Sequence, residues 1–134
     1  MSGNTDNNLS KDVHLWAYTN FRLQTLLCKN SLCLSDTVKR ELYQIGYEGE
    51  YFTELSDMQR QELLEEGSFF GSFQTGNRIV SFALKRSGLN RDNLDNIQES
   101  IDSAYEAIVK ENGKSELSEA SYRHTLQTLS VFRP

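Results

Sequence analysis

The clearest periodicity in the chain is a helical one in its C-terminal third. Apolar side chains recur there at steps of three and four residues, which places them on one face of an α-helix. Gly113 follows as a suitable helix end. The stripe consists of Leu94, Ile97, Ile101, Ala104, Tyr105 and Ile108. It predicts an amphipathic helix whose apolar face must be covered by another element.

Two shorter helices are predicted upstream from their boundary residues. Ser35 is a suitable N-cap for a helix that ends at Gly46. Ser56 and Gln59 have the spacing of a capping box, in which each side chain accepts a hydrogen bond from the other residue's backbone. The apolar stripe of the first of these helices is Val38, Leu42 and Ile45.

Two further helices are predicted by the same signals. One extends from about Ser72 to about Arg86, where Ser87 and Gly88 interrupt it, and it buries Ile79, Val80, Phe82 and Ala83. The other begins near Ser118 and places Tyr122, Leu126 and Leu129 on one face.

The N-terminal pattern is ambiguous between strand and helix. Between Val13 and Cys28 most apolar residues have odd numbers, which is strand alternation. The residues Trp16, Asn20, Leu23 and Leu27 nevertheless recur at helical spacing. We favour a short strand or a hairpin turning near Thr19 and Asn20, preceded by a flexible tail over residues 1–11.

These elements together predict a mainly α fold. Each amphipathic face needs a neighbour, and short loops favour helices packed in near-antiparallel pairs. We therefore expect one domain over residues 12–134, a bundle of about four to five helices with a short strand or hairpin element near its N-terminus.

Composition narrows the class of function. The 134 residues carry a net charge of -5, and this excess of acid gives no basic surface for a nucleic-acid backbone. No apolar run approaches the roughly 20 residues that cross a bilayer. Cys28 and Cys33, the only cysteines, are too few for a disulfide framework. A cytoplasmic protein with two free thiols is expected, with no membrane or nucleic-acid partner.

Motifs that indicate catalysis or metal binding are missing from the sequence. The segment from Asn90 to Asp95 resembles a calcium loop, but Leu94 stands where an oxygen ligand is needed. A helix cap explains its polar residues better. His124 could act as a base, with Glu119 five residues away, yet no nucleophile converges with it. We predict no cofactor, no metal and no enzymatic activity.

The segment from Ser68 to Phe82 is the best candidate for a binding site. Phe69 and Phe70 precede a helix, and Arg78 lies one turn after Gln74 within it. These aromatic side chains could close one end of the bundle, or they could form a partner-binding patch, because exposed aromatic residues and arginines dominate many interfaces. A second possible surface for a basic partner is the acidic stretch over residues 48–66. Phe69, Phe70 and Arg78 are the predicted partner-binding residues.

The same segment resembles a family of small bacterial proteins of largely unknown function. The matching residues are Phe69, Phe70, Gly71, Gln74, Thr75, Arg78, Ile79 and Phe82, then Ile101 and Tyr105, then Gly113, Lys114, Leu117, Glu119, Ser121, Tyr122 and Thr125. The resemblance covers roughly residues 67–129. Gly76, Ala104 and Ser118 depart from the family pattern.

The resemblance implies a helix-rich fold with a few short strands and a protein-binding role. The family includes a flagellar co-chaperone that binds the flagellin export chaperone FliS. A protein-binding module, such as a co-chaperone or adaptor for FliS, is therefore the expected function. The alternative is a non-catalytic accessory subunit or small enzyme of a redox or metabolic complex. The oligomeric state stays open.

Overall fold

The fold is mainly helical, as the sequence predicts. The structure, a computed structural model, describes residues 2–29, 35–47, 56–88 and 90–133. These ranges contain a 3-10 turn at Arg91–Asn93 and six α-helices, but no strand, and none of the helices is long and apolar enough to span a bilayer. The helices are α1 (Ser2–Cys28), α2 (Asp36–Gln44), α3 (Asp57–Leu64), α4 (Ser72–Arg86), α5 (Leu94–Asn112) and α6 (Glu116–Ser130).

The strand or hairpin predicted over Val13–Cys28 is wrong, because α1 is one continuous helix. A half-buried strand would bury the odd-numbered residues, yet Leu15 is 63% exposed. The buried face follows helical steps instead and includes the polar residues Asn20, Gln24 and Thr25. Those polar side chains interrupt the apolar stripe, and this interruption misled the sequence-based prediction.

The range predicted as a flexible tail, residues 1–11, overlaps α1. α1 begins at Ser2 and passes through residue 11 without a break. Leu9 is only 2% exposed and belongs to the main core. Its burial gives these first turns a tertiary contact, which stabilises short helical segments more than intrinsic propensity does.

Side-chain caps fix several helix starts. The Oγ atom of Ser35 accepts a hydrogen bond from the backbone N–H of Val38 at 3.1 Å. Ser56 and Gln59 form the predicted capping box, with distances of 3.0 and 3.1 Å. α6 is capped by Ser115 and so begins two residues before the predicted Ser118. α4 has the predicted bounds.

The bundle consists of α1 and the three other long helices, α4, α5 and α6, which pack against it. Contacts pair early α1 residues with late α4 residues, as in the ion pair of Asp12 with Arg86, so these two helices are antiparallel. α6 is also antiparallel to α1, since Thr25 lies beside Ser118, which is near the start of α6. α5 runs in the direction of α1, and Tyr18 donates a hydrogen bond to Glu111 near the end of α5.

The core is divided into two clusters that share α1. The larger cluster lies among α1, α4, α5 and α6. The smaller cluster joins the C-terminal half of α1 to α2 and to the turn before α4. Its buried members are Leu23, Leu27, Val38, Leu42, Ile45 and Phe70. The boundary between the clusters is therefore the place where α1 meets α2 and α4.

Candidate functional site

The contact between α1 and α4 repeats once per helical turn. We call this row of contacts the α1–α4 seam. Because the two helices are antiparallel, the residue numbers of successive pairs rise along α1 and fall along α4. Its four pairs are Asp12 with Arg86, Trp16 with Phe82, Asn20 with Arg78, and Gln24 with Thr75. The pairs change from an ion pair at one end to a fully buried amide–hydroxyl contact at the other.

Arg78 holds the middle of the seam through neutral acceptors. Its Nε donates to Asn20 Oδ1 at 2.8 Å, one terminal nitrogen donates to the carbonyl oxygen of Phe69 at 2.8 Å, and the other lies 3.4 Å from Thr75 Oγ1. The guanidinium also lies 3.9 Å from the centre of the Phe69 ring. Burial lowers the pKa of Arg78 to about 10. Among the described residues it forms no ion pair.

The two phenylalanines predicted to bind a partner occupy different environments. Phe70 is 0% exposed and packs in the smaller cluster, whereas Phe69 is half-buried under the Arg78 guanidinium. Their turn is held tightly, because a Cβ at Gly71 would lie 2.4 Å from the carbonyl oxygen of Glu65. The structure gives Phe69, Phe70 and Arg78 internal contacts, and their partner-binding role stays a prediction.

Polar side chains continue the seam into the interior of the bundle. Gln24 Nε2 donates to the carbonyl oxygen of Phe70 at 2.8 Å and to Ser121 Oγ at 2.7 Å. Thr25 and Ser118 share a hydrogen bond of 2.6 Å one layer further on. This network joins α1, α4 and α6 by directional bonds in a place where most bundles use apolar packing.

The outer side of the seam is an open apolar groove. Trp16 and Phe82 form its floor, with ring centres 4.4 Å apart and planes 10° from parallel, and Trp16 Nε1 donates to the carbonyl oxygen of Arg78 at 3.2 Å. The groove has a volume of about 300 Å³. Its lining residues are Asp12, Leu15, Trp16, Thr19, Gln44, Ile45 and Phe82. We call it the Trp16 groove.

α2 borders the groove at its C-terminal end, where Gln44 and Ile45 line it. α2 lies antiparallel to α1, with Glu41 paired to Arg22, and it ends beside the groove at Ile45. Beyond this end of α2, Leu15 is exposed and Trp16 and Phe82 are half-buried. A large aliphatic side chain that is 63% exposed beside two aromatic rings is a feature of binding surfaces rather than of cores.

Sequence reasoning missed Leu15 and Trp16 as site residues. Interpreting Val13–Cys28 as a strand placed Leu15 on the same buried face as Val13 and Ala17. A helical interpretation would have separated it, because Val13, Ala17, Asn20 and Gln24 then share a face from which Leu15 is turned away. The sequence signal that could have placed Leu15 outside the core is this helical stripe, in which the polar residues Asn20 and Gln24 follow the apolar Val13 and Ala17.

Other candidate chemistry resolves into structural contacts. Nε2 of His124 lies 2.9 Å from Asn77 Oδ1, while Glu119 pairs with Arg123 instead. The side chain of Asn90 accepts a hydrogen bond from the backbone N–H of Asp92, as a turn cap does. Among the described residues no three metal-binding side chains cluster.

Two sequence-based candidates fall partly outside the described ranges. Cys28 is a free, half-buried thiol, whereas Cys33 lies outside the described residues. Residues 48–55 of the acidic stretch also lie outside them.

Comparison of the chain with protein-family models, with curated proteins and with solved structures finds no match.

Proposed function

We propose that this protein is a protein-binding module whose partner docks in the Trp16 groove. The observation that supports this most strongly is the exposed Leu15 beside the stacked rings of Trp16 and Phe82. Burying a leucine and the outer faces of two aromatic rings supplies the kind of central apolar contact that dominates binding energy. Four of the seven lining residues are apolar and the one charged residue, Asp12, is paired with Arg86, so the groove suits apolar side chains of a partner better than a charged metabolite.

Arg78 and the two phenylalanines act in this proposal as positioning residues. Arg78 bonds Asn20, whose Nδ2 in turn donates to the carbonyl oxygen of Trp16 at 2.9 Å. The carbonyl oxygen of Arg78 accepts from the indole of Trp16. The guanidinium therefore holds α1 and α4 at the spacing that stacks Trp16 on Phe82. The partner contacts the floor of the groove, and Arg78 keeps that floor in place.

The family resemblance supplies a named candidate for the partner. We propose a co-chaperone or adaptor role in the cytoplasm, with the flagellin export chaperone FliS as the first protein to test. The support for FliS is the matching run from Phe69 to Phe82, and that run forms the α4 side of the seam.

Affinity capture with matched variants tests the protein-binding function. Leu15→Glu places a charge in the groove at an exposed helix position and should leave the fold intact. Met58→Glu is the control, because Met58 is 71% exposed and lies on α3, near the opposite end of α1. The wild type and Met58→Glu should capture the same partner. Leu15→Glu should weaken the binding free energy for that partner by at least about 2 kcal/mol.

Direct titration then tests the partner. Purified FliS should bind the wild type and Met58→Glu equally in calorimetry and should fail to bind Leu15→Glu. A partner whose capture is unaffected by Leu15→Glu would move the binding surface away from the groove. Absence of FliS binding alongside Leu15-dependent capture of another protein would reject the flagellar role and keep the module.

A further inference from the structure

α2 is an outer element that packs on the bundle through one face. It spans nine residues, Asp36–Gln44, and buries Val38 and Leu42, while Ile45 is buried at its C-terminal end. The opposite face is open to solvent, and Tyr43 is 82% exposed. An isolated helix shorter than about 12 residues is barely stable in water. α2 is therefore helical because it is docked, and we expect its undocking and its unfolding to be one event.

The two clusters of the core depend on α2 to different extents. Among the described residues the larger cluster includes no residue of α2, and its members belong to α1, α4, α5 and α6. The smaller cluster takes half of its buried residues from α2 and its C-terminal cap, namely Val38, Leu42 and Ile45. Loss of α2 would remove these three and leave the larger cluster complete. Under this condition one element can open locally while the rest of the fold persists.

The surface under α2 has the apolar character of a binding surface. It consists of Leu23 and Leu27 on α1 and of Phe70 in the turn before α4. We call these three residues the α2-covered face. Apolar contacts are non-directional, unlike the hydrogen bonds that join α1 to α4 and α6. Apolar side chains of a partner can therefore replace those of α2 on this face.

Two polar or aromatic contacts add to the apolar docking of α2. Arg22 on α1 pairs with Glu41 on α2, and both side chains are partly exposed, where an ion pair contributes little to stability. Tyr47, which follows α2, packs edge-on against Phe69 with ring centres 5.1 Å apart. Undocking of α2 breaks the ion pair, whereas the aromatic contact belongs to the turn after the helix.

The α2-covered face is continuous with the Trp16 groove. Ile45 belongs to the smaller cluster and also lines the groove, and Trp16 lines the groove and packs against the same cluster. Trp16, Leu23 and Leu27 share one face of α1 over about 16 Å, at positions i, i+7 and i+11. Seven residues line the groove while α2 is docked, whereas a specific interface involves roughly 20–30 residues on each side. Release of α2 would supply adjoining apolar surface.

We propose that α2 is a detachable cover whose release extends the Trp16 groove along α1 to Leu27. In the docked state Val38, Leu42 and Ile45 occupy the α2-covered face. In the released state the apolar side chains of the groove's partner occupy it, so partner binding and docking of α2 compete. The partner in this inference rests on the proposed function, and the inference adds a regulation of the same site.

Native-state hydrogen exchange tests the release of α2 without any partner. The hydrogen-bonded amides of α2 should exchange at least about 100-fold faster than the slowest amides of α4 and α5, because α2 opens while the larger cluster stays packed. Equal protection of α2 and α4 would overturn the detachable cover.

Two aspartate substitutions on α2 show whether the cover is a separate unit. Leu42→Asp places a charge on the buried face and should release α2, whereas Tyr43→Asp adds the same charge on the exposed face and should leave it docked. Trp16 is the only tryptophan, so its emission should move to longer wavelength in Leu42→Asp alone. The slow amides of α4 and α5 should stay protected in both variants. Loss of that protection in Leu42→Asp would show that α2 and the bundle unfold together, which would reject the proposal.

A cross-link tests whether release of α2 controls binding. Arg22→Cys and Glu41→Cys replace the ion pair between α1 and α2, in a chain that also carries Cys28→Ser and Cys33→Ser. A short bismaleimide joins the two introduced thiols and holds α2 in place, and the same variant alkylated with N-ethylmaleimide is the control. Cross-linking should weaken binding of purified FliS, or of the protein captured by the wild type, at least about tenfold. Equal binding by the two forms would overturn the regulation.

These measurements separate the cover from the proposed function. If Leu15→Glu abolishes capture while the cross-link leaves it unchanged, the binding module stands and α2 does not regulate it. If the wild type captures no partner, or if Leu15→Glu leaves capture unchanged, the proposed function fails. Hydrogen exchange and the two aspartate variants still decide in that case whether α2 detaches from the bundle.

Discussion

Gly76 shows how one residue sets the distance between two helices. A Cβ at this position would lie 2.7 Å from Cδ2 of His124 and 3.2 Å from the backbone nitrogen of Thr125. α4 therefore approaches α6 more closely than a side chain allows. The exposed ring of Phe73 packs on the same histidine, with centres 4.4 Å apart. The glycine costs helix propensity and permits this close contact.

Gly76→Ala should destabilise the protein despite alanine's higher helix propensity. At an open helical site the change would raise the free energy of unfolding by about 1 kcal/mol. Here the added methyl group should lower it by about 1–3 kcal/mol, because His124 and the α6 backbone must move. Urea denaturation measures the difference. Ser81→Ala, at an exposed position in the same helix, is the control and should change stability little. A stabilised Gly76→Ala would show that α4 and α6 are not in close contact.

Phe69 and Phe70 are adjacent in sequence but differ in burial, so serine substitutions at the two positions should have different costs. Phe70→Ser removes a fully buried ring and should cost about 3–5 kcal/mol of unfolding free energy. Phe69→Ser removes a half-buried ring under the Arg78 guanidinium and should cost less, about 1–2 kcal/mol. Melting temperatures of the two variants provide the test. If Phe69→Ser keeps the fold but loses partner binding, the surface extends from the groove to this turn; if both variants cost the same, the two environments are not distinct.

At the scale of elements, the α1–α4 seam joins two helices by Arg78. Arg78→Met should lower the free energy of unfolding by about 2–4 kcal/mol, because it leaves the Phe69 carbonyl and the Asn20 amide oxygen without their donor. Arg86→Met, at the exposed end of the same seam, should cost only about 0–1 kcal/mol. A double-mutant cycle with Asn20→Ala should give a coupling energy of about 1–2 kcal/mol. Zero coupling would mean that the contact contributes nothing to stability.

Elements differ in how far the sequence determines them. α4 could be predicted to its ends, because its buried residues are apolar at helical spacing and Ser87 and Gly88 follow. α1 could not, because its buried face carries Asn20 and Gln24, side chains that a periodicity argument assigns to solvent. Their polar atoms find partners far away in the sequence: Asn20 Oδ1 accepts from Arg78, and Gln24 Nε2 donates to the Phe70 carbonyl and to Ser121, while Gln24 Oε1 has no hydrogen-bond partner among the described residues. Such partners are brought together only by the tertiary structure, so the periodicity of α1 cannot reveal them.

The candidate site was predictable to a similar extent. The run from Phe69 to Phe82 contains three α4 residues of the seam, Thr75, Arg78 and Phe82, and Arg78 donates a hydrogen bond to a backbone carbonyl. Its acceptor lies in the turn before its own helix, which spacing alone does not reveal. Leu15 and Trp16 belong to α1, which the sequence pattern assigned to a strand. The groove could not be predicted from that assignment, because its α1 residues share one face only in a helix.

At the scale of the whole molecule, phenol groups join α5 to α1 and to α6. Tyr18 of α1 donates to Glu111 of α5 at 2.6 Å, and Tyr122 of α6 donates to Asp102 of α5 at 2.5 Å. Tyr105 stacks on Tyr122 with ring centres 4.2 Å apart. These contacts stabilise the arrangement of α1, α5 and α6, and the two hydrogen bonds require the phenols of Tyr18 and Tyr122 to keep their protons.

Alkaline pH should therefore loosen the bundle. Burial, and then the hydrogen bond to Asp102, raise the pKa of Tyr122 well above the ordinary 10.0. The hydrogen bond to Glu111 raises the pKa of Tyr18, and burial raises that of Tyr105. A phenol whose pKa is higher in the folded than in the unfolded chain favours the fold below about pH 10, and this contribution is lost as the pH rises further. Arg78, whose pKa is lowered to about 10, acts in the opposite sense.

Tyr122→Phe isolates the largest of these effects. The free energy of unfolding of the wild type should fall as the pH rises above about 10 toward the raised pKa of Tyr122, and the variant should fall less, because it has no phenol to ionise at the α5–α6 contact. Urea denaturation across that range measures both slopes. Tyr43→Phe, at an exposed position on α2, is the matched control and should follow the wild-type curve. If Tyr122→Phe kept the full alkaline slope, the loss of stability would have to arise at groups other than the phenol that joins α6 to α5.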